Sequence, residues 1–166
     1  MDIDEGKTDI ELWNNHFSQM VRYHRSFAAY KGLTLQKRST PPRVIVLWGP
    51  SGSGKTRDAT RMAGDDYFEV QPPRSSGLYF DGYAGEKTMI FDEFTGKFMT
   101  YTFLKRLLDR KPLLLPILGQ PGMQIQADTL IFTSNLPPDM WYKETTGGPW
   151  ANSPLKRRMD EFADII

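Results

Sequence analysis

The sequence predicts an α/β protein with a central, mainly parallel sheet. Three short apolar runs, at residues 44–48, 88–91 and 130–133, have the length of strands that are buried on both faces. Between them, residues 101–110 carry apolar side chains three and four positions apart, which favours a helix. Each apolar run ends at a glycine or a polar residue, so candidate ligand-binding groups collect at the carboxyl edge of the predicted sheet.

Composition excludes several classes of protein. Of the 166 residues, 39% are hydrophobic and 25% are charged, and there is no cysteine. Disulfide scaffolds and cysteine-based zinc sites are therefore excluded. The sequence contains no apolar run of about 18 residues, as a membrane span requires, so we expect a soluble, intracellular protein that does not contact membranes.

The first forty residues predict a helical segment followed by a basic linker. Thr8 and Glu11 fit a capping box, which predicts a helix that begins near Asp9. Apolar residues then recur at helical spacing as far as Tyr30, and Gly32 is the predicted stop. We expect one amphipathic helix of about six turns, whose apolar stripe packs either on its own domain or on a neighbouring subunit.

The linker is polar and basic. It covers residues 36–43 and contains Pro41-Pro42, which bars a helix, so a second domain is predicted at 41–166. Residues 20–57 hold eight basic residues and no acidic one, although the whole chain has a net charge of only +1. This block indicates either a polyanionic partner, contact between unlike faces of two subunits, or a solvated basic surface.

The segment Gly49-Pro50-Ser51-Gly52-Ser53-Gly54-Lys55-Thr56 matches a P-loop at every fixed position. It follows a predicted strand and precedes a predicted helix at 55–63, as the mechanism of phosphate binding requires. Glycines let successive backbone N–H groups face a phosphate chain, and Lys55 reaches the β and γ phosphates. The Thr56 hydroxyl is the expected Mg²⁺ ligand, so ATP and Mg²⁺ are the predicted substrate and cofactor.

Two further strand ends carry candidate catalytic residues. Asp92 and Glu93 follow the second apolar run, where Asp92 would hold Mg²⁺ and Glu93 would polarise an attacking water. This pair favours hydrolysis over transfer to a small acceptor. Asn135 follows the third run, where it either orients the water or begins a turn towards Pro137-Pro138. Near the end of the chain, Arg157 and Arg158 either belong to a solvated surface, or one of their guanidinium groups reaches the γ-phosphate bound by a neighbouring subunit.

In this order the motifs resemble the superfamily 3 helicase domain of replication-associated proteins (Rep) from circular single-stranded DNA viruses of the circovirus-like group. The resemblance covers about residues 41–162. The segments that carry it are 49–56, 72–74, 81–86, 90–94, 104–112, 132–135 and 155–158.

The resemblance implies an AAA+-like P-loop ATPase core, preceded by a short helical oligomerisation segment, that assembles as a ring around single-stranded DNA. It further implies a hexamer, 3′ to 5′ movement and unwinding during rolling-circle replication in the host nucleus. In that family Lys55 and Thr56 match Walker A, Asp92 and Glu93 match Walker B, and Asn135 matches the sensor asparagine. Arg157 or Arg158 falls where the family carries its trans-acting arginine finger, and the helical segment becomes a candidate subunit contact.

The chain departs from the family pattern in two ways. His16 and His24 cannot supply the His-hydrophobic-His motif of the family's nicking domain, so we expect no nicking activity, in a fragment or a domain-only protein. Residues 113–126 predict a hairpin around a Gly119–Gly122 turn, but this hairpin lacks the family's basic pore residue. DNA contact would then fall to Lys111, Gln120 and Gln124.

The predicted function is Mg²⁺-dependent ATP hydrolysis coupled to movement on single-stranded DNA. One alternative is a superfamily 3 helicase from an RNA virus, against which residues 81–86 weigh. The others are a P-loop kinase and a nucleotide switch. The Asp92-Glu93 pair weighs against the kinase.

Overall fold

The computed structural model describes residues 9–142 and 154–165, and its centre is a five-stranded parallel sheet. The order of the strands across this sheet is β2-β3-β6-β1-β7. A separate hairpin is formed by β4 and β5. The strands are β1 (Arg43–Trp48), β2 (Tyr67–Glu69), β3 (Thr88–Phe91), β4 (Leu114–Leu115), β5 (Met123–Gln124), β6 (Thr129–Ser134) and β7 (Ala163–Ile165). The predicted α/β class and parallel sheet are confirmed.

Strand pairing brings the three predicted strand ends together. β6 lies between β1 and β3, with Trp48 opposite Ser134 and Phe91 opposite Phe132. Because all three strands run in the same direction, the residues that follow them meet at one edge. The edge strands β2 and β7 were not predicted, since each is only three residues long and has no clear period in the sequence.

Alternate residues of the central strands enter two separate apolar clusters. On one face Phe91 stacks on Phe132 with ring centroids 4.7 Å apart. On the other face Ile45 and Ile131 pack with Ala59 of the helix that follows the P-loop. Burial on both faces explains why these strands appear in the sequence as unbroken apolar runs.

The helices around the sheet are α3 (Lys55–Ala63), α4 (Tyr101–Leu107) and α5 (Pro154–Phe162), with a 3₁₀ turn at Pro138–Met140. The prediction for α3 is confirmed, whereas α4 ends three residues before the predicted Arg110. The carbonyls of Arg106 and Leu107 at the end of α4 accept hydrogen bonds from the Arg38 guanidinium, which satisfies them without a further helical turn. The predicted hairpin before β6 is also confirmed.

The N-terminal segment contains two helices instead of the predicted single one. These are α1 (Asp9–Asn15) and α2 (Phe17–Thr34), with a bend at His16. The prediction that Gly32 ends the helix was also wrong, because the backbone continues to Thr34; a single glycine costs a helix only about 1 kcal/mol. Thr8, the first residue of the predicted capping box, lies outside the described residues.

The apolar stripe of these two helices is largely exposed in the single chain. Leu12 and Met20 are buried, whereas Phe17 and Val21 are 67% and 54% exposed. The rings of Trp13 and Phe17 lie 6.0 Å apart. Within the described residues, no helix is long and apolar enough to cross a membrane.

Candidate nucleotide-binding site

The P-loop begins where β1 ends and is fixed to the neighbouring strand. The backbone N–H of Gly49 donates to the carbonyl of Ser134 at 3.1 Å, which ties the loop to the end of β6. Gly52 and Gly54 have φ values of +79° and +88°, in the left-handed region that side chains rarely adopt. Gly54 is also the N-cap of α3, so the loop delivers the chain directly into the helix. The N–H groups at the start of α3 therefore face the space that the loop encloses.

Lys55 folds over this loop. Its ammonium donates to the carbonyls of Gly49 and Pro50 at 2.9 and 2.7 Å, and to the hydroxyl of Ser53 at 3.3 Å. The ammonium is therefore positioned at the mouth of the P-loop, where a phosphate oxygen could replace one of its carbonyl contacts. A cation next to the positive end of α3 gives this corner of the sheet an affinity for anions.

The Asp92 carboxylate connects helix α3, which follows the P-loop, to strands β3 and β6. Its Oδ1 atom accepts a hydrogen bond from the Thr56 hydroxyl at 2.8 Å and another from the Thr133 hydroxyl at 2.5 Å. Asp92 directly follows β3, Thr133 lies in β6 and Thr56 lies in α3. Three elements thus meet at one oxygen, and this fixes the position of the carboxylate.

Glu93 has an unusual backbone conformation. Its φ of +52° is the one positive value among the described non-glycine residues, and such strain is typical of functional sites. The Glu93 N–H donates to the Thr133 hydroxyl at 2.9 Å, and the next N–H, of Phe94, donates to the Thr133 carbonyl at 2.7 Å. These two bonds hold the turn that exposes the Glu93 side chain to the cleft.

The end of β6 separates a structural serine from an exposed asparagine. Ser134 is fully buried; its hydroxyl donates to the Phe94 carbonyl at 2.7 Å and accepts from the Trp141 indole N–H at 3.0 Å. Asn135 is exposed and lines the cleft. The buried serine thereby anchors the strand end that presents Asn135.

These side chains surround an open cleft of about 320 Å³. It is lined by Ser51, Gly52, Gly54, Lys55, Thr56, Arg57, Glu93, Thr133, Ser134 and Asn135. The structure therefore brings together the predicted Walker A residues, Glu93 and Asn135, with Asp92 bonded to Thr56 at their side.

Oxygen donors at this position fit a hard divalent cation. Thr56 and Asp92 offer a hydroxyl and a carboxylate within 2.8 Å of each other, which is the donor set that Mg²⁺ takes beside substrate phosphates. Within residues 9–142 and 154–165 there is no cluster of three or more His, Cys, Asp or Glu residues that could hold a metal. A metal at this site would depend on phosphate oxygens and water for its remaining ligands.

The two candidate finger arginines do not line this cleft. Both lie on α5, where the Arg158 guanidinium contacts the Asp109 carboxylate at 3.1 Å. Burial alone would raise the pKa of Asp109. The hydrogen bond from Arg158 and the N–H groups of Arg110 and Lys111 outweigh that effect and hold this pKa below its usual value. Arg157 is exposed and belongs to a second cleft at the end of α4.

The three predicted DNA contacts lie in different surroundings. Lys111 is exposed after α4, and Gln120 is exposed in the turn of the β4–β5 hairpin. Gln124 lies in β5 and is half-buried, and its Oε1 atom is buried without a hydrogen-bond partner.

Sequence reasoning missed Thr133 and Arg38. Thr133 could have been found from its position in the strand end that carries Ser134 and Asn135. Arg38 gave no signal, because it looks like any cation of a basic linker. Its guanidinium donates to the carbonyls of Leu107, Arg106 and Lys111 at 2.9, 3.0 and 3.1 Å. Burial lowers its pKa to about 10, so it remains charged at neutral pH.

Comparison with known proteins gives one family. A family model described as RNA helicase matches residues 45–136, which contain the P-loop, Asp92, Glu93 and Asn135. The replication-associated protein of beak and feather disease virus is 35% identical over 126 residues, or 74% of this chain and 41% of that protein. That of porcine circovirus 2 is 35% identical over 138 residues, or 82% of this chain and 43% of that protein.

A third relative is the genome polyprotein of Southampton virus, which is 33% identical over 107 residues, or 58% of this chain and 6% of that protein. The chain spans less than half the length of the circovirus proteins that it matches. The matched region contains the cleft in full. The chain therefore belongs to the RNA helicase family, as a superfamily 3 helicase (ATPase) domain similar to those of circovirus replication-associated proteins.

Proposed function

We propose that this chain hydrolyses ATP with Mg²⁺ and uses the free energy to move 3′ to 5′ along single-stranded DNA, unwinding duplex during rolling-circle replication. The observation that carries the proposal is the meeting of Thr56 and Thr133 on the Asp92 carboxylate, beside the exposed Glu93. A carboxylate held at the P-loop helix and a second, freely accessible carboxylate next to it suit attack by water on a terminal phosphate.

The candidate catalytic groups at this site have distinct roles in the proposed reaction. The P-loop N–H groups and the Lys55 ammonium bind the phosphate oxygens. Thr56 and Asp92 would hold Mg²⁺, which neutralises charge on the β and γ phosphates. Glu93 accepts the proton of the attacking water, and the Asn135 amide orients that water. Their positions at one sheet edge let these groups act together.

The same proposal assigns an arginine of a second copy to the γ-phosphate. Neither Arg157 nor Arg158 lines the cleft of its own chain, so a guanidinium from α5 would act across a subunit boundary. Arg157 is the better candidate because it is exposed, whereas Arg158 is paired with Asp109. The exposed stripe around Phe17 and Val21 would contribute to a ring, which we propose to be a hexamer.

The nucleic-acid substrate has two candidates. The resemblance to replication-associated proteins of circular single-stranded DNA viruses, which the circovirus relatives support, favours DNA and a nuclear site of action. The description of the matching family model, RNA helicase, favours RNA. Matched DNA and RNA strands of equal length and sequence in a displacement assay distinguish the two, since only the true substrate should be unwound efficiently.

Phosphate release against protein concentration, with light scattering for mass and with or without a DNA oligonucleotide, tests the ATPase proposal. We expect the rate per subunit to rise steeply as assemblies form, because a finger in trans is worth about 10³ to 10⁵ in rate. A flat rate from a persistent monomer would contradict the shared site and favour a nucleotide switch. No release without a small-molecule acceptor would favour a kinase.

A further inference from the structure

A second cleft lies at the opposite edge of the sheet from the P-loop. Its volume is about 510 Å³, against about 320 Å³ for the nucleotide cleft, and Pro41, just before β1, forms part of its wall. The P-loop begins at the other end of β1, so the length of this six-residue strand, about 17 Å, separates the two sites. One bound nucleotide could not reach both clefts of the same chain.

The wall of this cleft is strongly basic. Beside Pro41, Leu108 and Asp109, it is formed by Arg110, Lys111, Arg157 and Arg158. Asp109 is the one acidic residue among the described residues of this wall, and Arg158 pairs with that carboxylate at 3.1 Å. The three remaining cations are exposed, so the cleft presents a net charge of about +3 towards solvent.

Arg38 holds the loop that carries Arg110 and Lys111 in place. Its guanidinium donates three hydrogen bonds, two to the carbonyls of Arg106 and Leu107 at the end of α4 and one to the carbonyl of Lys111 in the loop. These contacts use backbone atoms of the loop, which leaves the two cationic side chains available for a ligand. A preorganised pair of cations binds an anion with little loss of conformational entropy.

We propose that this cleft binds phosphate groups of a polynucleotide backbone, through Arg110 and Lys111. Guanidinium and ammonium groups are the usual partners of phosphate oxygens. Among the described residues, the lining holds no aromatic side chain on which a base could stack, so contact is with the backbone and is independent of sequence. The proposal rests on the proposed function only in requiring that the chain handles a polynucleotide.

The test is the affinity of the full chain for a fluorescein-labelled oligo-dT of about 20 nucleotides, by anisotropy, as salt is varied. Arg110→Ala/Lys111→Ala should weaken binding at least tenfold at low salt. It should also reduce the slope of log affinity against log salt by about 1.4, since each phosphate contact to a single strand contributes about 0.7. A mixed-sequence strand should lose the same affinity as oligo-dT.

The matched control is Arg22→Ala/Arg25→Ala, which removes the same charge from exposed positions on α2 outside the cleft. It should leave affinity and slope within about twofold of wild type. Arg110→Gln/Lys111→Gln replaces the alanine variant if urea unfolding shows that the latter is destabilised. Equal affinity and slope in wild type and in the cleft variant would overturn the proposal.

The phosphate groups in this cleft could instead belong to ATP bound at the P-loop of a second copy of the chain. ATP hydrolysis by wild type and by the cleft variant is therefore measured in parallel, without DNA, as phosphate release. Unchanged release per subunit in the cleft variant supports the polynucleotide as the source. A more than tenfold loss of release, with DNA affinity unchanged, assigns the phosphates to a neighbour's nucleotide and overturns the proposal. Failure of the wild type to bind DNA or release phosphate would instead count against the proposed function itself.

Discussion

The hydroxyl of Thr133 donates to the Asp92 carboxylate while it accepts the backbone N–H of Glu93. One side chain on β6 therefore holds both acidic residues that follow β3. The Thr133 hydroxyl fixes the side chain of Asp92 and the backbone of Glu93. This relationship makes Thr133 a positioning residue for two proposed roles, the metal ligand and the base.

Thr133→Val removes the hydroxyl at nearly constant volume. We expect ATP hydrolysis to fall about 10- to 100-fold, as for other groups that orient a ligand or base, with ATP affinity changed only a few-fold. Thr133→Ser keeps the hydroxyl and should restore most of the rate. Steady-state kinetics and nucleotide titration separate the two effects, and a valine variant with wild-type turnover would remove Thr133 from the mechanism.

Glu93 combines a proposed catalytic carboxylate with a strained backbone. Glu93→Gln should lower ATP hydrolysis by about 10²- to 10⁴-fold while ATP still binds, because an amide cannot accept the proton of the water. Glu93→Gly should lower the rate as much, yet raise the free energy of unfolding by about 1 kcal/mol, since glycine adopts φ of +52° without strain. Urea unfolding and phosphate release test both variants. If the glutamine variant hydrolysed ATP at the wild-type rate, Glu93 would not be the base.

The sheet could be predicted from the sequence because its central strands are buried on both faces. The P-loop and the acidic pair at the end of β3 could be predicted because each follows such a strand. Thr133 lies at a predicted strand end, which was a signal, but its contacts and those of Arg38 could not be predicted, since the partners lie about 40 and 70 residues away in the chain. The same reason applies to the early end of α4, where the distant Arg38 guanidinium binds the carbonyls of Arg106 and Leu107. The bend at His16 has no local breaker such as proline, and the helical hydrogen bonds continue across it from Leu12 to Met20.

Arg157 and Arg158 should behave differently when each is replaced by alanine. Arg158→Ala removes a partly buried partner of Asp109 and should lower the free energy of unfolding by about 1–2 kcal/mol, between the values for exposed and buried pairs. Arg157→Ala should leave stability unchanged but reduce hydrolysis by the assembled form at least 10³-fold. Unfolding curves and phosphate release test the pair. Loss of hydrolysis with Arg158→Ala alone, at unchanged stability, would reverse the two assignments.

Tyr83 links residues 81–86 to the end of the hairpin. Its hydroxyl donates to the Glu86 carbonyl at 3.0 Å and accepts the Gln126 N–H at 2.9 Å. Burial of the ring is the main reason why the pKa of this phenol rises to about 12 from its usual value of 10. Because the folded state favours the neutral phenol, its stabilising effect is complete below pH 10 and is lost as the pH rises from about 10 to about 12.

Tyr83→Phe should therefore have two effects on stability. At pH 7 it should lower the free energy of unfolding by about 1–3 kcal/mol, because a partly buried carbonyl and a partly buried N–H lose their partner. Between pH 10 and pH 12 the variant should lose less stability than wild type, because it has no phenol to ionise. Urea unfolding at pH 7, 10 and 11.5 measures both effects. Tyr79→Phe is the matched control, since its hydroxyl bonds to Ser76 in an exposed turn. If wild type and the Tyr83→Phe variant lost the same amount of stability above pH 10, the neutral Tyr83 hydroxyl would not be what holds this contact.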